Sequence, residues 1–204
     1  MQLTATALSI LTTFFGLTTA LPTNTYANTH ANRPRDTAPV KTLLPSSIAN
    51  FDIGTGEIGC DATIGFISRY APWGGNDIST LVTFTFPSDI DFTSKTCQLQ
   101  FSLWPEDSVA GTAQVDLFSS LAPADCTSGS EKDMVSNQRG AHLGRLAVSP
   151  GMLTRWISNE GGSAAPCPPA GSVLGYELAP VGDEDGVEWD ATTAKARGLF
   201  LQYY

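Results

Sequence analysis

Acidic side chains beside turns are the residues of this chain best suited to acid–base chemistry. Hydrolysis of a glycosidic bond needs two carboxyl groups that face each other across a cleft, one of them with a raised pKa. The candidates for such a pair are Glu106, Asp107, Glu177, Glu188 and Asp190. Neighbouring residues of an extended segment point to opposite sides, so Glu106 and Asp107 face one bond only if the turn after Pro105 bends them together. We therefore expect these two residues to form a solvated turn.

Glu177 lies inside a predicted strand and not in a turn. Its apolar neighbours Tyr176 and Leu178 share the opposite face of that strand. The alternation predicts that Glu177 points outward, away from the core. A catalytic residue is therefore not assigned among the acidic side chains.

A serine hydrolase needs a histidine base that is held by a carboxylate beside a nucleophile. Outside the N-terminal tail, His142 is the one histidine, and the chain has no Gly-x-Ser-x-Gly elbow. The nearest approach, Gly161–Ala165 (GGSAA), lacks the final glycine. We interpret His142 as a strand residue whose ring is satisfied by hydrogen bonds.

The acidic segment Gly182–Asp190 (GDEDGVEWD) is the candidate cation site. Asp183 and Asp185 have part of the spacing of a calcium-binding EF-hand loop, but the first and twelfth ligand positions are Val181 and Thr192. Neither residue supplies the required carboxylate. The sequence leaves Asp183 and Asp185 as weak calcium candidates and favours an acidic hairpin turn. Zinc is not predicted, and no cofactor is indicated.

Three tryptophans stand where a carbohydrate-binding surface could use them. Trp73 lies in a Pro/Gly-rich loop, and Trp104 and Trp189 end predicted strands beside turns. Flat aromatic side chains can serve as platforms for sugar rings, although aromatics at such positions also close the ends of a β core. We predict Trp73, Trp104 and Trp189 as a possible glycan platform.

The four cysteines fit a disulfide framework. An oxidising compartment would join Cys60, Cys97, Cys126 and Cys167 in two bridges, and three pairings are open. Cys97 belongs to KTCQLQFSLWPED, where it shares one face with Leu99 and Phe101. A thiol on the core face of a strand is inert or already bonded. Cys97 is therefore predicted to anchor the fold.

Short segments in which apolar and polar residues alternate are expected to position these residues. Gly- and Pro-rich turns separate the segments. No window of helical length keeps an apolar stripe of period 3.6. The predicted strands are Ala62–Arg69, Thr80–Phe86, Thr96–Trp104, Gln114–Ser119, His142–Val148, Leu153–Ser158, Val173–Leu178, Gly186–Trp189 and Gly198–Tyr203. Strands without intervening helices predict an all-β fold, an antiparallel, jelly-roll-like β-sandwich stapled by disulfides.

Charge excludes two classes of partner. Of the 204 residues, 11 are Lys or Arg and 20 are Asp or Glu, which gives a net charge of −9. Binding to a nucleic-acid backbone or to an anionic membrane surface requires clustered Lys and Arg. We therefore expect no nucleic-acid partner and no polybasic contact with a membrane. Because no second hydrophobic segment and no GPI pattern are found, we also expect no membrane anchor.

The N-terminus predicts the compartment. Residues 1–20 contain an apolar run from Ala5 to Leu17 and a small residue at Ala20, the pattern of a secretory signal peptide. Residues 21–50 are rich in Thr, Pro and Asn without a period, which predicts a disordered lead. We expect the sandwich to occupy 51–204 and the product to be secreted.

Two segments together resemble the paired signatures of a fungal family. They are TCQLQFSLW at Thr96–Trp104 and APCPPAGSVLGYEL at Ala165–Leu178. In the ubiquitin-three binding protein But-two C-terminal domain family, a Cys-x-Leu-x-Phe strand is followed much later by a Cys-Pro-x-Gly turn and a Tyr-Glu strand. The segment Gly140–Gly144 also stands where members carry a Leu-Gly strand opening. The resemblance covers Ile53–Tyr204.

This resemblance implies a fold and a disulfide pairing more than an activity. By similarity, Cys97 pairs with Cys167, which leaves Cys60 with Cys126. The family looks all-β, is largely secreted or at the cell surface, and offers no catalytic residues to transfer. Binding of its founding member to an activating enzyme for a ubiquitin-like modifier is not carried over, because an extracellular chain does not meet that partner.

The combined prediction is a secreted, non-catalytic module of the fungal cell surface or wall. Its expected partner is a wall glycan or another extracellular surface component, and we expect it to act as a monomer. The alternative is a hydrolase that acts on wall polysaccharide.

Overall fold

Runs of alternating apolar and polar residues form antiparallel strands along the chain. The structure is a computed structural model, and it describes residues 40–60, 62–70, 77–124, 126, 139–161, 163–192 and 196–204. Within these ranges the chain forms strands and no helix. The strands are β1 (Lys41–Leu43), β2 (Ser47–Asp52), β3 (Ile58–Gly59), β4 (Ile64–Tyr70), β5 (Ile78–Thr85), β6 (Thr96–Ser102), β7 (Ser108–Ala110), β8 (Gln114–Ser120), β9 (Arg139–Ala147), β10 (Arg155–Asn159), β11 (Ala164–Pro166), β12 (Val173–Pro180), β13 (Glu184–Asp190) and β14 (Gly198–Tyr203).

The strands form two sheets. The smaller has the order β1–β14–β6–β11, and the larger, ten-stranded sheet has the order β10–β9–β8–β12–β5–β4–β13–β7, with β2 paired to β5 and β3 paired to β2. All of these pairings are antiparallel. The sheets curl around a common core as a sandwich, so the predicted fold class is confirmed. None of the described residues form a helix that is long and apolar enough to cross a membrane.

Strand β6 shows how the core forms. Cys97, Leu99, Phe101 and Leu103 alternate with polar residues and are all buried, as the pattern predicts. Opposite them, the inner face of the ten-stranded sheet contributes its own alternate residues. Edge-to-face aromatic contacts lock the two layers together, as in the pair Phe101–Trp189 with ring centroids 5.3 Å apart.

Both disulfides form with the predicted pairing. Cys97–Cys167 lies within the core, and Cys60–Cys126 closes a second small apolar cluster around Ala49, Ile58 and Leu81. The bridges span 66 and 70 residues, and loops of this length contribute about 4 kcal/mol each in the chain-entropy model.

The nine predicted strands are all present, but the predicted start of the domain is wrong. Strands β1 and β2 lie within the segment 21–50 that was expected to be a disordered lead. Lys41 pairs with Tyr203, and Ser47 pairs with Thr83, so both segments are integral to the sheets. The described residues belong to one compact unit, Thr37–Tyr204. The predicted signal peptide, residues 1–20, and the lead as far as residue 39 lie outside the described residues.

Candidate functional site

A groove lies on the outer face of the ten-stranded sheet, across β4, β13 and β7. It has a volume of about 750 Å³ and is lined mainly by Phe66, Ser68, Tyr70, Ile78, Ala110 and Gly186. Alternation explains why the groove forms here. Ile67 and Val187 are paired and point into the core, so their neighbours along each strand point outward.

Small residues form the groove floor because they fall into one row across three strands. Ser68 pairs with Gly186, and Gly186 pairs with Ala110. Among the described residues, a Cβ atom built on Gly186 meets only the Ala110 Cβ, at 3.7 Å, so this row has space above it. The absence of a bulky side chain in the row therefore creates the depression.

Larger side chains stand in the two rows that flank the floor. Tyr70 pairs with Glu184 on one side, and Phe66 pairs with Glu188 on the other. Tyr70 is 48% exposed, so part of its ring is accessible beside the groove floor. Beside it, Arg69 Nε donates to Asp77 Oδ2 at 2.9 Å. An aromatic surface with carboxylates and a guanidinium close by matches the residue types of a polar-ligand site.

Asp185 fixes one end of the floor strand β7. Its carboxylate accepts hydrogen bonds from the Thr112 backbone N–H at 2.6 Å, from Thr112 Oγ1 at 2.8 Å and from the Val181 N–H at 3.1 Å. The Gly182 N–H is a fourth donor. These bonds tie the segment after β7 to the β12–β13 turn, so the position of the floor depends on a buried carboxylate.

Of the two weak calcium candidates, Asp185 is held by donors of the protein itself. Four donors occupy the Asp185 oxygens, and the side chain lies on the core side of β13, where it is 4% exposed. Asp183 is exposed in the adjoining turn. Among the described residues, no three His, Cys, Asp or Glu side chains come together as metal ligands.

A second buried carboxylate fixes the other end of β7. Asp107 immediately precedes the strand, and its Oδ1 accepts from Arg197 Nε at 3.0 Å. The Trp104 N–H donates to Asp107 Oδ2 at 2.6 Å, which closes the turn. Asp107 is thus not solvated, contrary to the prediction, because Arg197 reaches it from the start of β14. Glu106 does fit that prediction, since it is exposed and its Oε1 lies 3.6 Å from Arg197 Nη1.

Burial and hydrogen bonding shift the pKa of these charged groups in opposite directions. Burial acts to raise the pKa of Asp185, but the hydrogen bonds from Gly182, Thr112 and Val181 outweigh it and lower the pKa. The hydrogen bond to Asp107 raises the pKa of Arg197. Both side chains therefore remain ionised at neutral pH.

Trp189 is not a glycan platform, because it is 1% exposed in the core. Its indole ring is held between Gly65 and Gly198, since a Cβ on either glycine would collide with it. Trp104 is half-buried, and the Arg197 guanidinium lies 4.8 Å from its ring centroid. Trp73 lies outside the described residues, so its predicted role stays a prediction.

Away from the groove, a charged ladder covers the outer face of β12, β8 and β9. We use this name for Asp116, Phe118, Arg139, His142, Arg145, Glu160 and Glu177. Glu177 points away from the core as predicted, but it is fully buried there, and its Oε1 accepts from Arg139 Nη2 at 2.6 Å. It does lie on the face opposite Tyr176 and Leu178, but Arg139 and its surroundings cover that face.

His142 belongs to the ladder and is satisfied by its neighbours. Its Nε2 lies 3.2 Å from Asp116 Oδ1, and its Nδ1 lies 3.2 Å from Glu160 Oε1. A base that activates a nucleophile needs one ring nitrogen directed at that nucleophile. Here carboxylates occupy both positions, as expected for a structural histidine.

Two comparisons with known proteins found no match. The chain matches no protein-family model, and it matches no curated protein.

Proposed function

We propose that this protein is a secreted, non-catalytic module that binds a neutral cell-wall glycan in the groove. The observation that carries the proposal is the row Ser68–Gly186–Ala110, which leaves a trough beside the exposed ring of Tyr70. Ligand sites typically have volumes of roughly 300 to 1,000 Å³, and the groove, at about 750 Å³, falls within that range.

The side chains around the groove suit a sugar polymer. The Tyr70 ring offers a flat apolar surface, which matches the apolar face of a sugar ring. Glu184 supplies hydrogen-bond acceptors beside it, and Arg69 supplies donors. A neutral glycan fits better than an acidic one, because the net charge of −9 would repel an anionic polymer.

Carboxylate spacing favours binding over hydrolysis. Glu184 and Glu188 both lie on the outer face of β13, four residues apart, so their Cα atoms are separated by about 13 Å. Catalytic carboxyl groups in glycosidases stand roughly 5 to 9.5 Å apart, so these two side chains would have to lean toward each other to act on one bond. Asp185, between them, points to the core side and is held by backbone donors.

The extracellular setting is part of the proposal. Two disulfides are typical of proteins that mature in an oxidising compartment, and the N-terminal pattern of residues 1–20 predicts export. The resemblance to the But-two C-terminal domain family supports a place at the fungal cell surface, and it stays a prediction.

Adsorption to insoluble polysaccharide tests this function. The purified chain is incubated with chitin and with insoluble β-glucan, and the unbound fraction is measured. We expect retention on at least one polymer and a roughly three- to tenfold weaker affinity for Tyr70→Ala, because the variant loses the aromatic surface. The matched control is Tyr204→Ala, which removes a tyrosine that is 44% exposed at the end of the other sheet.

Three results would count against the proposal. The first is no retention on either polymer, and the second is equal retention of the Tyr70→Ala variant and the wild type. The third is release of reducing sugar ends during the incubation, which would favour the hydrolase alternative.

A further inference from the structure

A second cavity lies between the two sheets, at the opening next to β11. This slot has a volume of about 190 Å³. Its deep wall is formed by buried core residues, including Phe86, Leu99 and Leu201, and its mouth is formed by exposed residues, including Ala165 and Pro166. The slot is therefore an extension of the core that reaches solvent, and it is separate from the groove.

The lining of the slot defines which ligands it can accept. No charged side chain lines it among the described residues. A charged ligand would lose its hydration there without gaining a partner. A cavity of about 150 Å³ lined by apolar side chains is known to hold benzene. A slot of about 190 Å³ is therefore suited to a compact, uncharged molecule slightly larger than benzene.

Tyr176 gives this apolar slot a polar group. The other hydroxyl of the lining, on Ser119, already accepts a hydrogen bond from the Ala141 N–H at 2.9 Å. No hydrogen-bond partner of the Tyr176 hydroxyl is found in the described part of the chain, and burial raises the pKa of this phenol to about 12. Tyr176 thus stays protonated and can donate a hydrogen bond to a ligand.

We propose that the slot binds a small uncharged molecule, aromatic or branched aliphatic, with one hydrogen-bond acceptor that faces the Tyr176 hydroxyl. Apolar contact with the slot wall supplies most of the binding, and the phenol orients the ligand. This site is independent of glycan binding in the groove.

A pair of probes with nearly the same shape tests the proposal. Acetophenone carries a carbonyl acceptor, and α-methylstyrene replaces that carbonyl with a methylene group. Each probe is titrated into the full chain while the methyl resonances of Leu99, Leu143, Leu174 and Leu201 are followed by NMR. We expect both probes to shift these resonances, and we expect acetophenone to bind more tightly.

Two variants identify the site. In Tyr176→Phe, we expect acetophenone to bind roughly three- to tenfold more weakly while α-methylstyrene is unaffected, because only the hydrogen bond is lost. In Ala165→Phe, the new ring blocks the mouth and both probes lose binding. Ala164→Phe is the matched control, since Ala164 is the exposed neighbour on β11 that does not line the slot.

The outcomes separate the parts of the proposal. If neither probe shifts the four leucines, or if Ala165→Phe binds the probes as the wild type does, the slot is not a ligand site. If both probes bind Tyr176→Phe as they bind the wild type, the role of the phenol is refuted.

Discussion

The two halves of the outer face of the ten-stranded sheet differ in how they are covered. Over β12, β8 and β9, the charged ladder fills the surface with long side chains that pair across the strands. Over β4, β13 and β7, the middle row carries only small residues, and a groove remains. The strand geometry is the same in both halves, so the side chains that face each other across the strands decide whether the surface is closed or open.

One Asp–Arg pair from each half shows a difference in burial, although Glu177 of the ladder is also buried. In the ladder, the Asp116 side chain is 16% exposed and its partner Arg145 is 37% exposed. Below the groove, the Asp107 and Arg197 side chains are only 1% and 6% exposed. Both are Asp–Arg pairs with several hydrogen bonds, but only the second is removed from water. We infer that the partly exposed Asp116–Arg145 pair contributes little to stability, whereas the groove floor depends on its buried carboxylates.

Among the substitutions considered, Arg197→Met is expected to cause the largest loss of stability. The variant keeps the apolar length of the side chain but leaves the buried carboxylate of Asp107 without its guanidinium. Loss of one partner of a buried ion pair costs about 3 to 5 kcal/mol. The free energy of unfolding, measured by urea denaturation at pH 7, should fall by that amount.

Two further variants control this experiment. Glu106→Gln changes an exposed carboxylate near the same arginine and should alter the free energy of unfolding by less than about 0.5 kcal/mol. Arg197→Met combined with Asp107→Asn removes both charges and should recover part of the loss. A loss below about 1 kcal/mol in the single variant would show that the pair does not hold the start of β7.

Asp185→Asn is expected to have an intermediate effect that depends on pH. The variant weakens the bonds from Thr112, Val181 and Gly182, and we expect a loss of about 2 kcal/mol at pH 7. The pKa of Asp185 is lowered in the folded state, so its contribution is complete above about pH 4, the ordinary range of an unfolded aspartate. That contribution disappears as the pH falls through the lowered folded pKa.

The difference in the free energy of unfolding between the wild type and Asp185→Asn should therefore become smaller as the pH falls. Urea denaturation between pH 2 and pH 7 measures it. A constant difference across this range would indicate that packing, and not the ionised carboxylate, stabilises the turn. Asp116 also has a lowered pKa and is present in both proteins, so both should lose stability in acid.

Arg145→Gln should have the smallest effect. Arg145 Nε donates to Asp116 Oδ1 at 2.7 Å, but the pair is partly exposed. We expect a loss of roughly 0.2 to 1 kcal/mol at low salt, decreasing as salt screens the charges. Denaturation in low and high sodium chloride checks this. A loss of several kcal/mol that does not depend on salt would mean that the Asp116–Arg145 pair stabilises the fold as much as the buried Asp107–Arg197 pair does.

Alternation in the sequence predicted the longer strands, and it could have predicted more. Asp185, Val187 and Trp189 share the parity of one face of β13, and Val187 is an obvious core residue. Because the three residues point the same way, the carboxylate of Asp185 and the indole of Trp189 are expected on the core side together with Val187. Considering Asp185 as a calcium candidate and Trp189 as part of a glycan platform relied on residue type and proximity to a turn in place of this parity.

Other features could not be predicted because they depend on contacts between distant segments. Strands β1, β3, β7 and β11 are only two or three residues long, too short for a pattern. The Asp107–Arg197 pair joins residues 90 positions apart. The groove floor requires the register of three strands, which no local pattern encodes.

Filling the groove at Gly186 tests the central claim most directly. Gly186→Leu places a side chain over the floor, where the only close neighbour of its Cβ is the Ala110 Cβ. The matched control is Gly59→Leu, another strand glycine, whose added Cβ lies 3.8 Å from the Asn50 carbonyl oxygen. Binding isotherms on the polysaccharide that retains the wild type, with thermal unfolding recorded in parallel, complete the measurement. We predict at least tenfold weaker binding for Gly186→Leu, wild-type binding for Gly59→Leu, and folded protein in both cases. Wild-type affinity in a folded Gly186→Leu variant would contradict the assignment of the groove as the glycan site.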